Sequence, residues 1–379
     1  MIAPGLRAAL LATAARAQDL CGSLVLRGKQ ATGLLRPLRS RPYLGHGTPD
    51  VVYVKGRVRE RSGVDEPQPC DTALDNLLAT VRRFTATPVP GARVRVRLAS
   101  VGTATAGTEV QVVSDHDGYF RAELHPVPPL REGWHDLSAE LLSPAGGTTT
   151  GRVLVPPADA EFGVISDLDD TVLRSAVTEP LQAAATVLLN NATTRTPFHG
   201  VAAFYRALRA GPSGGANNPL FYVSSSPWNL YDFVEDFLRV HDIPVGPLFL
   251  RAWGLDPDAM FSGGHSAHKS QLINGLLATY PDLSFVLIGD SGQQDPEIYR
   301  DVVLAWPGRI LAVYIRDVTT PERDADVGVI ARQVRDTGVA FELVADTPAA
   351  AFHAASHQLI ASHGLAEVQA AAHRDEPIP

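Results

Sequence analysis

Five residues, DLDDT from Asp167 to Thr171, bring three carboxylates to the end of an apolar run, FGVIS. Like charges a few ångströms apart do not all stay ionised without compensation. A hard divalent cation with oxygen ligands is the simplest compensation. Taken alone, the string reads equally as an acidic loop or a helix cap, with Thr171 opening a helix. Three further strings shift the balance. LFYVSSS ends in Ser224, Ser225 and Ser226, whose hydroxyls can donate to a phosphate oxygen, and a helix after Pro227 would offer free backbone N–H groups to an anion. LSFVLIGDSGQQD ends in a second pair of carboxylates, Asp290 and Asp295. HKSQLI puts Lys269 at the expected start of a helix, where its charge opposes the helix dipole. A structural lysine sits better at the other end, so a role in neutralising a bound anion is favoured. Lysine is otherwise scarce, with only Lys29 and Lys55 besides Lys269 among 33 Lys and Arg.

The elements that must position these residues are legible in the hydrophobic pattern. FGVISD, LFYVSS, LSFVLIGD and ILAVYIRD are near-continuous apolar runs ending in polar residues, as strands buried on both faces of a parallel sheet read. Helices are expected between them, at Gly200 to Arg209, Asn229 to Val240, Lys269 to Tyr280 and Pro296 to Ala305. Residues 158–379 are therefore expected to form an α/β domain with a doubly wound parallel sheet, binding ligands at the carboxyl ends of its strands.

Residues 49–157 differ, with short alternating segments such as VVYVKGRV, ARVRVRL and YFRAEL separated by Gly, Pro, Asp and Ser. The expectation there is an antiparallel β-sandwich with a helical insertion near Thr72 to Phe84. In ARVRVRL the Val and Leu positions face one way and the Arg positions the other. SDHDGYF, residues 114–120, lacks the further ligands and the Glu of a calcium loop and reads as a hairpin turn. Residues 1–48 read as a basic leader, partly helical or disordered.

Hydrophobic residues at 45% and charged residues at 20% match folded globular chains and exclude a disordered one. No apolar run nears the roughly 20 residues of a membrane-spanning helix, Ala8 to Ala15 being the longest early one. Cys21 and Cys70 are too few for a disulfide framework, so a cytoplasmic location is expected. The net charge of −8 is uneven: the first 61 residues carry eleven Lys and Arg against three Asp and Glu. Such asymmetry fits either a solvated leader or a tail that meets an anionic surface, peripheral at a membrane.

The ordered set of strand-end residues closely resembles the haloacid dehalogenase superfamily of aspartate-nucleophile phosphatases, over residues 160–320. That resemblance implies Asp167 as nucleophile, Asp169 as general acid/base and Thr171 as a support. It implies Ser224 and Lys269 as phosphate holders, with Ser225 the alternative to Ser224. Mg²⁺ is the implied cofactor, with Asp167, Asp169, Asp290 and Asp295 as its carboxylates. The second aspartate separates this chain from dehalogenases and phosphonatases and points to phosphate-ester chemistry. Within the superfamily, DLDDTVLRSAVT, YVSSSPWNL and LIGDSGQQDPEIY, with RPYLGHGT and KGRV upstream, are similar to the actin-patch-associated phosphatidate phosphatase family and its bacterial relatives. This implies phosphatidate, or another bulky phosphomonoester, as substrate.

Insertions that close over small substrates in that superfamily look short here. Arg174 to Phe198 has room for little more than one helix, around Pro180 to Asn190, and Val240 to His268 for a short strand and loops, so a minimal cap and an open site are expected. Trp228, Trp253 and Phe261 are candidates either for the entrance or for buried packing, and His265 and His268 read as solvated or phosphate-adjacent. The expected partner is a phosphorylated substrate, as a lipid at a membrane surface or otherwise, and not a nucleic acid. The alternatives are a phosphotransferase with the same nucleophile, or a binding protein whose α/β domain is inactive.

Overall fold

Two compact units make up the chain: among the described residues, the first holds those up to Val155 and the second those from Pro156 to Arg251 and from Gly264 onward. A computed structural model describes residues 37–60, 87–99, 108–169, 171–172, 198–251 and 264–375. The expected insertion near Thr72 to Phe84 and the expected helix near Pro180 to Asn190 lie outside the described residues, as do Trp253 and Phe261. Among the described residues, no helix is long and apolar enough to cross a membrane.

In the first unit, alternation builds one hydrogen-bonded sheet of eight strands. They are β1 (Leu38–Pro42), β2 (Gly45–Gly47), β3 (Val52–Glu60), β4 (Arg93–Leu98), β5 (Glu109–Val113), β6 (Tyr119–Leu124), β7 (Gly133–Ser143) and β8 (Thr148–Val155). The order is β1-β3-β2-β8-β7-β4-β5, with β6 also on β3. All pairs are antiparallel except β2 with β8. The strand of ARVRVRL buries Val94, Val96 and Leu98, which join Val54, Phe120, Leu137 and Val153 in a single core cluster.

Two expectations are corrected here. Residues 38–47, assigned to the leader, form β1 and β2. LRSRP already alternates, and a Cβ on Gly47 would lie 2.6 Å from Val52 Cα, so that glycine permits close strand approach as well as a turn. SDHDGYF does turn, closed by Asp115 N–H donating to Tyr119 O at 2.7 Å. It joins β5 to β6, which pair with β4 and β3 respectively, so it is not a hairpin.

The second unit holds a six-stranded sheet, every pair parallel. Its strands are β9 (Gly163–Ser166), β10 (Leu220–Pro227), β11 (Leu248–Arg251), β12 (Phe285–Asp290), β13 (Ile310–Arg316) and β14 (Ala340–Val344), in the order β11-β10-β9-β12-β13-β14. The helices are α1 (Val201–Ala210), α2 (Tyr231–Val240), α3 (Gly264–Thr279), α4 (Asp295–Ala305), α5 (Pro321–Arg335), α6 (Thr347–Ser356) and α7 (Ser362–Asp375).

Both faces of the sheet are covered, which is why its strands read as unbroken apolar runs. Ile165, Leu287 and Val313 pack with Leu276 of α3, Val302 of α4 and Ile330 of α5. Alternate residues serve α1: Tyr222 stacks on Tyr205, and Tyr314 meets Phe204 edge-on. From β9 the chain goes first to one side, to β10, and later to the other, to β12. That reversal makes the carboxyl ends of adjacent strands β9 and β12 the switch point, where doubly wound sheets have their ligand crevice.

Candidate active site

Asp167 follows β9 and Asp290 ends β12, so strand pairing alone makes them neighbours. The Asp167 N–H donates to Ile288 O at 2.8 Å. Asp295 opens α4, and its Oδ2 accepts the Asp290 N–H at 3.2 Å. This return of the chain over the strand end needs Gly289, where a Cβ would lie 2.8 Å from both Cβ and Cγ of Asp295. Asp290 Oδ1 accepts the N–H groups of Gly292 and Gln293 at 2.7 and 2.9 Å, an Asx-type turn that fixes the carboxylate. From α3, Lys269 Nζ donates to Asp167 Oδ1 at 2.7 Å and to Asp295 Oδ1. The three carboxylates are 0% exposed and Lys269 is 2% exposed.

Among the described residues, Asp167, Asp290 and Asp295 each offer an oxygen, and these oxygens lie within 4.8 Å of one another. Three carboxyl groups meet one ammonium out of water. Burial first, then Asp295, Asp290 and Asp169, push the Asp167 carboxyl well above its usual range, with Lys269 opposing them. Burial disfavours the Lys269 charge, but its two carboxylate partners more than offset this and hold it above its ordinary value. An all-oxygen, buried cluster crowded with carboxyl groups fits a hard divalent cation, whose charge would favour their ionised forms.

Asp169 stands apart from this triad. Its Oδ2 accepts Ser224 Oγ at 2.7 Å and Ser226 Oγ at 2.8 Å, so its carboxylate is held by β10 and is not among the clustered ligands expected for the metal. Ser224 is 1% exposed and its Oγ also accepts the Ser226 N–H at 2.9 Å. Strand alternation puts Ser224 and Ser226 on one side and the half-buried Ser225 on the other. Ser226 was not among the assigned residues, although the period of two in LFYVSSSP marks it as the partner of Ser224. Thr171 Oγ1 donates to Asp167 Oδ2 at a long 3.4 Å.

Lys269 lies in the second turn of α3, not at its start, because the helix begins at Gly264. Its placement is explained by its two carboxylates and no longer by the helix end. Trp228 is buried and stacks on Tyr231 at 6.1 Å, which settles it as packing and not as an entrance residue. His268 is half-buried, while the side chain of His265 lies outside the described residues.

Residues 162–317 match the family model described as phosphatidate phosphatase APP1, catalytic domain. Phosphatidate phosphatase APP1 of Saccharomyces cerevisiae is 30% identical over 155 residues, covering 41% of this chain and 26% of that protein. An uncharacterized protein of Schizosaccharomyces pombe is 29% identical over 250 residues, covering 63% of this chain and 39% of its own length. The chain thus spans well under half the length of the curated relatives it matches. A solved structure titled Structure of PhoD aligns over 74% of this chain and 71% of that chain, at 8% identity and a TM-score of 0.33, a level that carries no fold argument.

Proposed function

We propose, from the match of residues 162–317 to the catalytic-domain model of phosphatidate phosphatase APP1, that this chain is a Mg²⁺-dependent phosphatase that attacks phosphate monoesters with the Asp167 carboxylate. The observation that carries the proposal is the cluster itself: Asp167, Asp290 and Asp295 buried together on adjacent strand ends with Lys269 bonded between two of them. Its phosphate-ester substrate is inferred from the family, and phosphatidate is the substrate class that the relative's name suggests.

When bound by Asp167, Asp290 and Asp295, Mg²⁺ would neutralise phosphate charge that otherwise repels a carboxylate nucleophile. Within the chain, an Asp167 oxygen attacks phosphorus and the ester P–O bond breaks, giving an aspartyl phosphate. Asp169 gives its proton to the leaving oxygen, then takes one from the water that attacks phosphorus and releases inorganic phosphate. Hydroxyls of Ser224 and Ser226 hold Asp169 where β10 meets the crevice. Ser224 or Ser225, with Lys269, would hold the phosphate oxygens, and Thr171 would steady Asp167.

The reading extends to fold: a haloacid dehalogenase-like sheet with a minimal cap, and for the first unit an antiparallel β-sandwich. A nucleophile after β9, beside β12 in a parallel sheet, supports the former, and a core shared by strands along the whole sheet path supports the latter. The test is release of inorganic phosphate from phosphatidate vesicles and from a soluble chromogenic phosphate, with Mg²⁺ and after chelation, by the wild type and Asp167→Asn. Turnover by the stripped wild type, or by Asp167→Asn, overturns the mechanism.

A further inference from the structure

The segment between β12 and α4, residues 291–294, has no regular structure of its own, yet it must keep the Gly292 and Gln293 N–H groups on Asp290 and deliver Asp295 to the crevice. Its anchors come from the next connection along the sheet. Ser291 N–H donates to Arg316 O at 2.9 Å, and Ser291 Oγ accepts the Val318 N–H at 3.0 Å. Arg323, in the first turn of α5, supplies the remainder. Its Nε donates to Ser291 O at 3.1 Å and its Nη2 to Gln293 O at 3.0 Å. Nη1 and Nη2 reach the two oxygens of Glu297, in the first turn of α4, at 2.7 and 2.9 Å.

We propose that Arg323 is a positioning residue that sets the divalent-cation affinity of the crevice by clamping the β12–α4 segment to the first turn of α4. The inference rests on the metal centre of the function proposed above. None of these hydrogen bonds goes to the three clustered carboxylates, so the effect is exerted through the backbone. The carbonyls it ties belong to Ser291, which follows Asp290, and to Gln293, whose N–H holds Asp290. Glu297 lies two residues beyond Asp295. One planar fork therefore fixes the supports of both Asp290 and Asp295. Its geometry suits a guanidinium and not an ammonium, which cannot present that fork of donors. An ordinary exposed ion pair would need neither carbonyl. A cation in the first turn of α5 also opposes that helix's dipole, so helix stability does not explain it.

The test is calorimetric titration of Mg²⁺ alone into the full chain, for wild type, Arg323→Met, Arg323→Lys and Glu297→Gln. Arg335→Met serves as control, since Arg335 donates to Phe341 O and Glu342 away from the segment. Loss of an outer support of metal ligands weakens affinity about 10- to 100-fold, which is the effect expected for Arg323→Met. Arg323→Lys should fail to rescue, and Glu297→Gln, which keeps both carbonyl bonds, should lose less. Turnover at saturating Mg²⁺ should stay close to wild type in all three, and Arg335→Met should lower the melting temperature without changing affinity. Unchanged affinity in both Arg323 variants, or an equal loss in Arg335→Met, overturns the inference. Should Arg323→Met fail to fold, Arg323→Lys and Glu297→Gln decide it. Because Mg²⁺ is read directly, a wild type that binds it yet releases no phosphate refutes the hydrolase reading and leaves this one standing. A wild type that binds no Mg²⁺ overturns both.

Discussion

Asp167 and Lys269 form a buried ion pair crowded by further carboxylates. Asp167 has its carboxyl raised by burial and by three other carboxylates, so the folded state holds a proton that the unfolded chain releases above the ordinary value of 3.8. Stability of the metal-free protein should therefore fall as pH rises from that value through the raised one. Asp167→Asn removes the titrating group, so its unfolding midpoint should be flatter with pH and no lower than wild type near neutrality, while turnover disappears. Denaturant melts in chelator at several pH values, beside a phosphate-release assay, check both halves. A steeper slope in the variant would show that the carboxyl is not raised. Lys269→Met should behave in the opposite way, because it leaves Asp167 and Asp295 buried without their cation. Breaking such a pair costs about 3–5 kcal/mol, and Mg²⁺ should restore part of it. Loss of stability with no recovery in Mg²⁺ would mean that the cluster does not take the ion.

At the level of elements, what assembles the crevice is a strand pair and the turn that follows it. The apolar runs made β9, β10, β12 and β13 legible, since strands covered on both faces must be apolar throughout. Less legible was where side chains point at strand ends. Ser226 escaped assignment because LFYVSSSP continues as strand for its full length, and only that continuation places Ser224 and Ser226 together on Asp169. The start of α3 was misplaced because GHSAH carries no strong helix-opening signal, and the helix forms there nonetheless. At Gly289 the lack of a side chain gives Asp295 room beside the strand, a demand that no local pattern announces. Gly289→Ala should displace Asp295, since the strand backbone cannot yield. Overpacking of this kind costs about 1–3 kcal/mol. The expected result is lowered stability together with weakened Mg²⁺ binding by titration; a loss of stability alone would show that Asp295 is not a ligand.

For the whole molecule, the uneven charge bears on the proposed substrate, since the first 61 residues carry eleven Lys and Arg against three Asp and Glu. If phosphatidate in a bilayer is the substrate, each Lys or Arg that reaches an anionic surface adds about 1 kcal/mol. Salt screens exposed charges over about 8–10 Å near physiological ionic strength. Because β1 begins at Leu38 and pairs with β3, a truncation must stop at residue 36 to leave the sheet intact. That truncation should reduce hydrolysis of vesicle-borne phosphatidate at low salt and leave a soluble chromogenic phosphate unaffected. Vesicle co-sedimentation and phosphate release by both proteins measure this. Equal loss on both substrates, or none on either, would remove the segment as a tether.

Residue types and their places along the chain set out the chemistry available: Asp167, Asp290 and Asp295 at the ends of apolar runs, a scarce lysine, and serines after another run. Composition and period also fixed the division into an alternating β segment and an α/β segment, because burial on one face or on two leaves different patterns. Which oxygens meet follows from the folding of the sheet. The order β10-β9-β12 puts Asp167 beside Asp290, and α3 carries Lys269 into bonds with Asp167 and Asp295. Asp169 turned instead to two serines of β10, and Arg323, far along the chain, became the clamp of the metal segment. Spacing along a chain constrains neighbours within one element, whereas contacts between strand ends depend on sheet order and register, which no local pattern encodes.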